Sequence, residues 1–112
     1  MPATAIKLLT LSVVATAALT INRAVTAAGA VPAAAGRCIG FADYSGAIGE
    51  RVSVGALGTV VAEAGAAFVA GVALELDASG RVITKTAGVA VGTALTAASG
   101  VGATVEVLLI PN

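Results

Sequence analysis

The sequence predicts a small all-β domain, either a barrel or a sandwich of short strands joined by glycine-rich turns. Short apolar runs recur from Gly36 onward, and the breaks between them contain glycine. The chain has fourteen glycines in 112 residues, and no long segment shows the apolar spacing of an amphipathic helix. A chain of this length corresponds to one domain, which we assign to residues 1–112.

The N-terminal third is predicted to be less regular than the rest. Its expected elements are an arm at residues 1–7, strands at 8–15 and 19–26, and an Ala/Gly/Pro linker at 27–36. In the first strand Leu9, Leu11 and Val13 share one face, because side chains alternate along extended chain. Pro32 fits a loop or a sheet edge, since it cannot donate a ladder hydrogen bond.

Residues 37–110 are predicted to form a regular β body. Its apolar runs lie at 37–42, 51–54, 59–63, 72–76, 81–86, 89–96 and 104–110. In the last run Val105, Val107 and Leu109 occupy one face, and Leu108 and Ile110 occupy the other. Two apolar faces indicate a central strand or a strand at an interface.

The clearest hairpin joins residues 72–76 to residues 81–86 through a turn at 77–80. The aspartate that opens this turn can accept hydrogen bonds from the turn backbone, and the glycine that closes it tolerates positive φ. Glu75 and Arg81 are expected to face one another across the hairpin.

Composition predicts that part of the surface is apolar and becomes buried against other protein. The chain is 58% hydrophobic and 11% charged, whereas a soluble domain is typically about 25% charged. Extended apolar patches usually mark contacts with protein. The six basic residues are scattered and cancel against six acidic ones, which argues against a nucleic-acid partner. No stretch reaches the roughly 20 apolar residues of a membrane helix, so no membrane partner is expected.

The residues that support catalysis are largely missing from the sequence. There is no histidine, no phosphate-binding loop and no Gly-x-Ser-x-Gly elbow. Asp43 and Glu50 flank residues 44–49, where a metal is conceivable, but solvated loop charges are the favoured interpretation. Cys38 is the only cysteine and is expected to be a small, partly buried apolar residue. We therefore predict no enzyme, no catalytic residue, no cofactor and no metal site.

One alternative concerns the N-terminal segment. Lys7 precedes a 12-residue apolar run at 8–19 and small residues at 27–30, which is similar to a secretory signal. A secreted or cell-surface β protein is therefore the second interpretation. Hydroxyl residues at even positions of the run, including Thr10 and Ser12, favour a strand instead.

A series of short segments resembles one family in its order and spacing. The segments are TINRAV at 20–25, RCIGFA at 37–42, GERVSV at 49–54, GTVVAEAG at 58–65, AGVAL at 70–74, DASGRV at 77–82, VGTAL at 91–95 and VEVLL at 105–109. This order is similar to that of the small capsid decoration (cement) proteins of tailed phages, of the DUF2190 type. The resemblance covers roughly residues 10–110.

The resemblance implies a non-enzymatic structural protein of the virion. Such proteins lie on the outer surface of an icosahedral capsid, often as homotrimers, and bind where major capsid protein subunits meet. They stabilise the expanded shell without touching nucleic acid. A self-assembling shell subunit is a further alternative. The low charge of residues 1–26 and 27–36 suggests that they make most of the contact. The candidate capsid or subunit contact residues are Leu9, Leu11, Val13, Ile21, Val25, Leu108 and Ile110.

Overall fold

A computed structural model describes residues 4–112, which form eight strands in one curled antiparallel sheet with the shape of a half-barrel. The strands are β1 (Lys7–Val14), β2 (Ala24–Val25), β3 (Gly40–Ala42), β4 (Arg51–Glu63), β5 (Ala73–Leu76), β6 (Val82–Thr84), β7 (Gly92–Ala94) and β8 (Thr104–Leu109). This confirms the prediction of a small all-β domain with short strands and glycine-containing turns.

The sheet is organised around β4. Its strand order is β2-β3-β4-β8-β7-β5-β6, and β1 pairs with β4 outside this path. Residues 51–58 of β4 pair with β1, and residues 59–63 pair with β8. Strand β3 pairs with Val54 and Gly55 at the opposite edge of β4. β1 and β8 therefore follow one another along the same edge of β4.

β4 corrects the prediction of two separate strands at 51–54 and 59–63, since it runs unbroken for 13 residues. The glycines between the two runs do not form a turn. Gly58 has a φ of 94°, and the β1–β4 register shifts beside it, between Lys7 and Thr10. A bulge of this kind bends a strand without ending it. Composition alone does not separate a bulge from a turn, because glycine suits both.

The second predicted strand is shorter than expected. Of residues 19–26, only Ala24 and Val25 belong to a strand. Asn22 has a φ of 65°, a left-handed conformation that interrupts extended chain and that asparagine tolerates well. Leu19 makes only an isolated bridge with Gly46.

The predicted arm and linker are both bonded to the β body. Lys7 is the first residue of β1 rather than the last residue of an arm. Residues 1–3 of the predicted arm lie outside the described residues. The segment 27–36 contains no strand, but the amide of Ala35 donates to the Leu76 carbonyl and the Gly29 carbonyl accepts from Thr16. Pro32 lies in this segment, as predicted, and is buried.

Two apolar clusters pack against opposite faces of the sheet. Phe41 and Ala42 are consecutive in β3, so their side chains point to different faces, and each belongs to a different cluster. The larger cluster includes Phe41, Val60, Leu74, Leu76, Val82, Val105 and Val107. The smaller comprises Ala15, Leu19, Val25, Ala42, Val52 and Val54, with Val13 and Ile39 packed against it. β4 contributes to both clusters and joins them.

The predicted hairpin is confirmed, but its cross-strand ion pair is wrong. β5 and β6 pair around the turn at 77–80, and Gly80 has a φ of 78°. Glu75 lies opposite Ile83. The Arg81 guanidinium instead contacts the carboxylates of Asp77, at 3.1 Å, and Glu63, at 3.9 Å. Asp77 follows β5 directly and reaches the arginine within the turn, whereas Glu75 accepts hydrogen bonds from the amides of Thr86 and Gly88.

Candidate interaction surface

β1 is the longest strand at an edge of the sheet. It has eight residues, whereas the edge strands β2 and β6 have two and three. Short edge strands are one way in which proteins avoid unwanted pairing. Within the described residues, β1 pairs only with β4, so its second edge has no strand beside it.

Polar contacts hold the beginning of β1 against the body. The Lys7 ammonium forms an ion pair with Asp43, and its aliphatic stem lies over Gly55, where a side chain would obstruct it. The amide of Ile6 donates to the Thr59 hydroxyl at 2.8 Å, and the Thr59 amide donates to the Ile6 carbonyl at 2.9 Å. These contacts fix β1 as a stable surface rather than a loose tail.

Four of the predicted contact residues lie exposed along β1 and the adjoining end of β8. Along β4, Leu57 pairs with Leu9, Gly58 with Lys7 and Thr59 with Leu108. The end of β8 therefore directly adjoins the start of β1. Leu11 and Ile110 line one cleft of about 240 Å³. Its other lining residues are Cys38, Ile39, Ala56, Leu109, Pro111 and Asn112. We call Leu9, Leu11, Leu57, Leu108 and Ile110 the β1 strip; all five are exposed.

The other three predicted contact residues lie elsewhere. Ile21 is exposed in the β1–β2 connection, where its amide donates to Ser45 of the β3–β4 loop. Val13 is half-buried against the smaller cluster, on the same face as Val52. Val25 is completely buried in that cluster, so it offers no contact surface. Alternation along the predicted strand 19–26 does not show that Val25 is buried, because only Ala24 and Val25 form a strand in the structure.

Several exposed apolar side chains are not among the predicted contact residues. Ile6 and Leu8 are 66% and 74% exposed at the beginning of β1. Leu57 lies in the glycine-containing break between the predicted runs 51–54 and 59–63, and only the continuity of β4 places it opposite Leu9. Tyr44 and Ile48 are exposed in the β3–β4 loop. The sequence signal for Leu8 is the apolar run at 8–19, whereas Ile6 precedes Lys7 and lies outside that run.

The carboxylates of Asp43 and Glu50 accept hydrogen bonds within the fold, and the Cys38 thiol is buried. Asp43 accepts from Ser53 at 2.6 Å and pairs with Lys7, whereas Glu50 accepts from the amide of Ala47 in its own loop. Residues 4–112 contain no cluster of three or more His, Cys, Asp or Glu side chains that could hold a metal ion. Burial raises the pKa of the Cys38 thiol to about 11, which disfavours the reactive thiolate.

Glu75 is a buried carboxylate that organises a loop. It accepts hydrogen bonds from the amides of Thr86 and Gly88 and from the Thr86 hydroxyl. These donors favour the ionised form and lower the pKa of Glu75 below its ordinary value. Its hydrogen bonds tie the connection after β6 to β5, which is a structural role.

Sequence comparison identifies the family. The family model described as phage cement protein matches residues 5–109. The chain belongs to the phage cement protein family. The resemblance found in the sequence is thereby confirmed, and this cement protein is a structural protein associated with phage capsids. The segment 8–19, considered above as a secretory signal, lies within the matched region and contributes β1.

A solved structure shows that the fold recurs in another phage protein. The N base of the head fiber protein gp8.5 of bacteriophage phi29 superposes with a TM-score of 0.77 at 16% identity. The match covers 91% of this chain and 93% of the phi29 chain. No curated protein matches the sequence. Among residues 4–112, no helix is long and apolar enough to cross a membrane.

Proposed function

We propose that this cement protein binds the outer surface of an icosahedral phage capsid as a homotrimer and bridges major capsid protein subunits. The observation that carries the proposal is the β1 strip, an exposed apolar surface on a body fixed by two cores. Family membership supplies the association with the capsid. Bridging, the trimer and the outer surface are what the family resemblance implies, and the β1 strip supplies an apolar surface for such contacts.

The physical basis of the stabilisation is burial of apolar area. Burial contributes about 25 cal/mol per Å², and loss of translational and rotational freedom offsets much of this for a single contact. A trimer that engages several subunits gains avidity without stronger individual contacts. Because the assembled lattice offers more of these contacts than free subunits do, binding favours the intact shell. This function requires no catalytic group, consistent with the structural roles of Cys38 and Glu75.

The direct test is co-sedimentation of the purified protein with phage capsids that lack it, together with its mass in solution. We expect saturable binding by a trimer and capsids that withstand higher temperature. The variant Leu11→Asp should lose binding, because it places a charge in the β1 strip. Val101→Asp is the matched control, since Val101 is also exposed but lies in the loop before β8, at the end remote from Leu108.

The alternatives give different outcomes. Large particles formed by the purified protein alone would indicate a self-assembling shell subunit. A natural protein truncated near residues 28–36 would indicate secretion and would remove β1. Equal binding by Leu11→Asp and the wild type would show that the β1 strip does not contact the capsid.

A further inference from the structure

The direction of the backbone groups in β1 can be read from its partner strand. The Ser53 carbonyl accepts from the Asp43 amide, and the Gly55 carbonyl lies against Gly40. Both carbonyls thus point toward β3 and away from β1. Ser12 and Thr10 are their partners in the β1–β4 register. In an antiparallel pair hydrogen-bonded and non-bonded positions alternate, so the amides and carbonyls of Thr10 and Ser12 face outward.

One end of this outward edge is closed. The Thr16 amide donates to the Gly29 carbonyl at 2.9 Å, and Gly29 lies so close to the Val14 carbonyl that a Cβ would overlap it. In the described part of the chain, no backbone group bonds to the outward groups of Thr10 or Ser12. The accessible edge is therefore residues 8–12, about 16 Å of extended chain.

The accessible edge lacks the usual protection against pairing. It contains no proline and no charged residue. The nearest cation, Lys7, is paired with Asp43. The Arg51 side chain reaches the Ser12 hydroxyl only at 3.5 Å. A bulge between Leu9 and Thr10 twists the start of the edge, and from Thr10 to Ser12 the register with β4 is regular.

We propose that an extended, uncharged segment of the major capsid protein pairs with the edge formed by residues 8–12 and continues the sheet beyond β1. Its backbone bonds the outward groups of Thr10 and Ser12, and an apolar side chain of the segment packs against the exposed Leu11. This mode of recognition takes affinity from main-chain hydrogen bonds and specificity from alternate side chains. The inference rests on the proposed capsid binding and specifies how that binding is made.

The size of the edge favours the capsid protein over a second copy of this chain. A stable dimer buries about 800 Å² on each partner. Five edge residues provide only part of this area, and the Gly29 segment prevents the pairing from extending further. A capsid lattice supplies the remaining area through several simultaneous contacts. The absence of charge on the edge requires a segment that is itself uncharged, because an unpaired charge would be desolvated there.

The first test compares Ser12→Pro with Ser12→Ala in co-sedimentation with capsids. The Ser12 amide is not bonded to β4, so proline is compatible with the fold but removes an outward donor. We expect Ser12→Pro to weaken capsid binding by about tenfold or more, and Ser12→Ala to bind like the wild type. Thermal unfolding of both free variants shows whether the fold is retained. Equal binding by a folded Ser12→Pro overturns the inference and leaves the proposed function intact.

Amide hydrogen exchange of the wild type provides a test that needs no variant. The amides of Thr10 and Ser12 should exchange rapidly in the free protein and at least about tenfold more slowly on capsids, whereas those of Leu11 and Val13 are slow in both. Unchanged exchange at Thr10 and Ser12 in a bound protein overturns the inference. Protection that grows with the concentration of free protein would identify a second copy as the occupant. Failure of the wild type to bind capsids refutes the proposed function and the inference with it.

Discussion

Replacement of Gly58 by alanine tests whether the bulge in β4 fixes the start of β1. Gly58 has a φ of 94°, and an added Cβ would overlap the Ile6 carbonyl oxygen and lie 3.1 Å from the Leu8 amide nitrogen. Gly71 is the matched control: its φ is 90°, and no atom lies within 4 Å of the position of its Cβ. The two substitutions share the conformational penalty and differ in the steric one.

The expected magnitudes follow from these contacts. A left-handed alanine costs about 1–2 kcal/mol, and the lower entropy of the unfolded chain returns about 0.4–1 kcal/mol. Gly71→Ala should therefore destabilise by about 1 kcal/mol. Gly58→Ala must also displace Ile6, whose two hydrogen bonds with Thr59 contribute about 0.5–1.5 kcal/mol each. Its total should be about 2–4 kcal/mol.

Urea unfolding of the wild type and both variants measures the difference. We expect Gly58→Ala to lose about 1–3 kcal/mol more than Gly71→Ala, and hydrogen exchange to accelerate at the bonded amides of residues 6–9 in Gly58→Ala alone. Equal destabilisation by the two variants, with unchanged exchange in β1, would refute the reasoning. In that case β1 would adjust to the new side chain at no measurable cost.

Further predictions concern the core, the buried carboxylate, the thiol and a strained alanine. Val107→Asp should abolish folding, as judged by circular dichroism, because it places a charge in the larger core; the control Leu108→Asp, on the exposed face of β8, should fold. The hydrogen bonds that lower the pKa of Glu75 stabilise the fold at any pH above 4.5, the ordinary pKa of a glutamate, and this contribution is lost as the pH falls through the depressed pKa. The difference in unfolding free energy between the wild type and Glu75→Gln should therefore shrink on acidification. A difference of constant size between pH 7 and pH 3 would contradict this. With a pKa of about 11, Cys38 should react with iodoacetamide at pH 8 about 100-fold more slowly in the native than in the urea-unfolded protein, and comparable rates would show that burial does not protect it. Ala35→Gly should raise the unfolding free energy by up to about 1 kcal/mol, because Ala35 has a φ of 61°; a decrease would show that its conformation is not strained.

The strands that were predicted well are those with clear alternation or a well-marked turn. β1 and β8 follow residues 8–15 and 104–110 closely, since each alternates over several residues. The β5–β6 hairpin is encoded locally by Asp77 and Gly80. Such features are determined by residues close to one another in the sequence, so the sequence alone is enough to predict them.

The errors occur where distant parts of the chain decide the conformation. Gly58 permits both a turn and a bulge, and the pairing of β4 with β1 and β8 selects the bulge. Val25 is buried because β3 pairs with β2 and the smaller core encloses it. Arg81 has its closer partner, Asp77, in the same turn, but its second partner, Glu63, is brought near by the bridge between Ala64 and Val82. These outcomes need the topology, which periodicity does not provide.

The predicted surface was recovered in part for the same reason. Leu9, Leu11, Leu108 and Ile110 are exposed as required, and whether they touch the capsid stays a prediction. What the sequence did not indicate is that β1 and β8 lie end to end along one edge of β4, which brings the four residues onto neighbouring surfaces. Leu57 lies beside Leu9 because β4 continues without a break through residues 55–58.

The pairing of β1 with β4 has a consequence for synthesis of the protein. β1 leaves the ribosome before its partner residues 51–58, which follow about 40 residues later, or roughly 2–8 s at 5–20 residues per second. During that interval an apolar strand is exposed on both edges. Native pairing then depends on contacts distant in sequence, which form slowly. We expect the nascent chain to be most prone to aggregation in this interval, and the finished fold to retain one of those two edges.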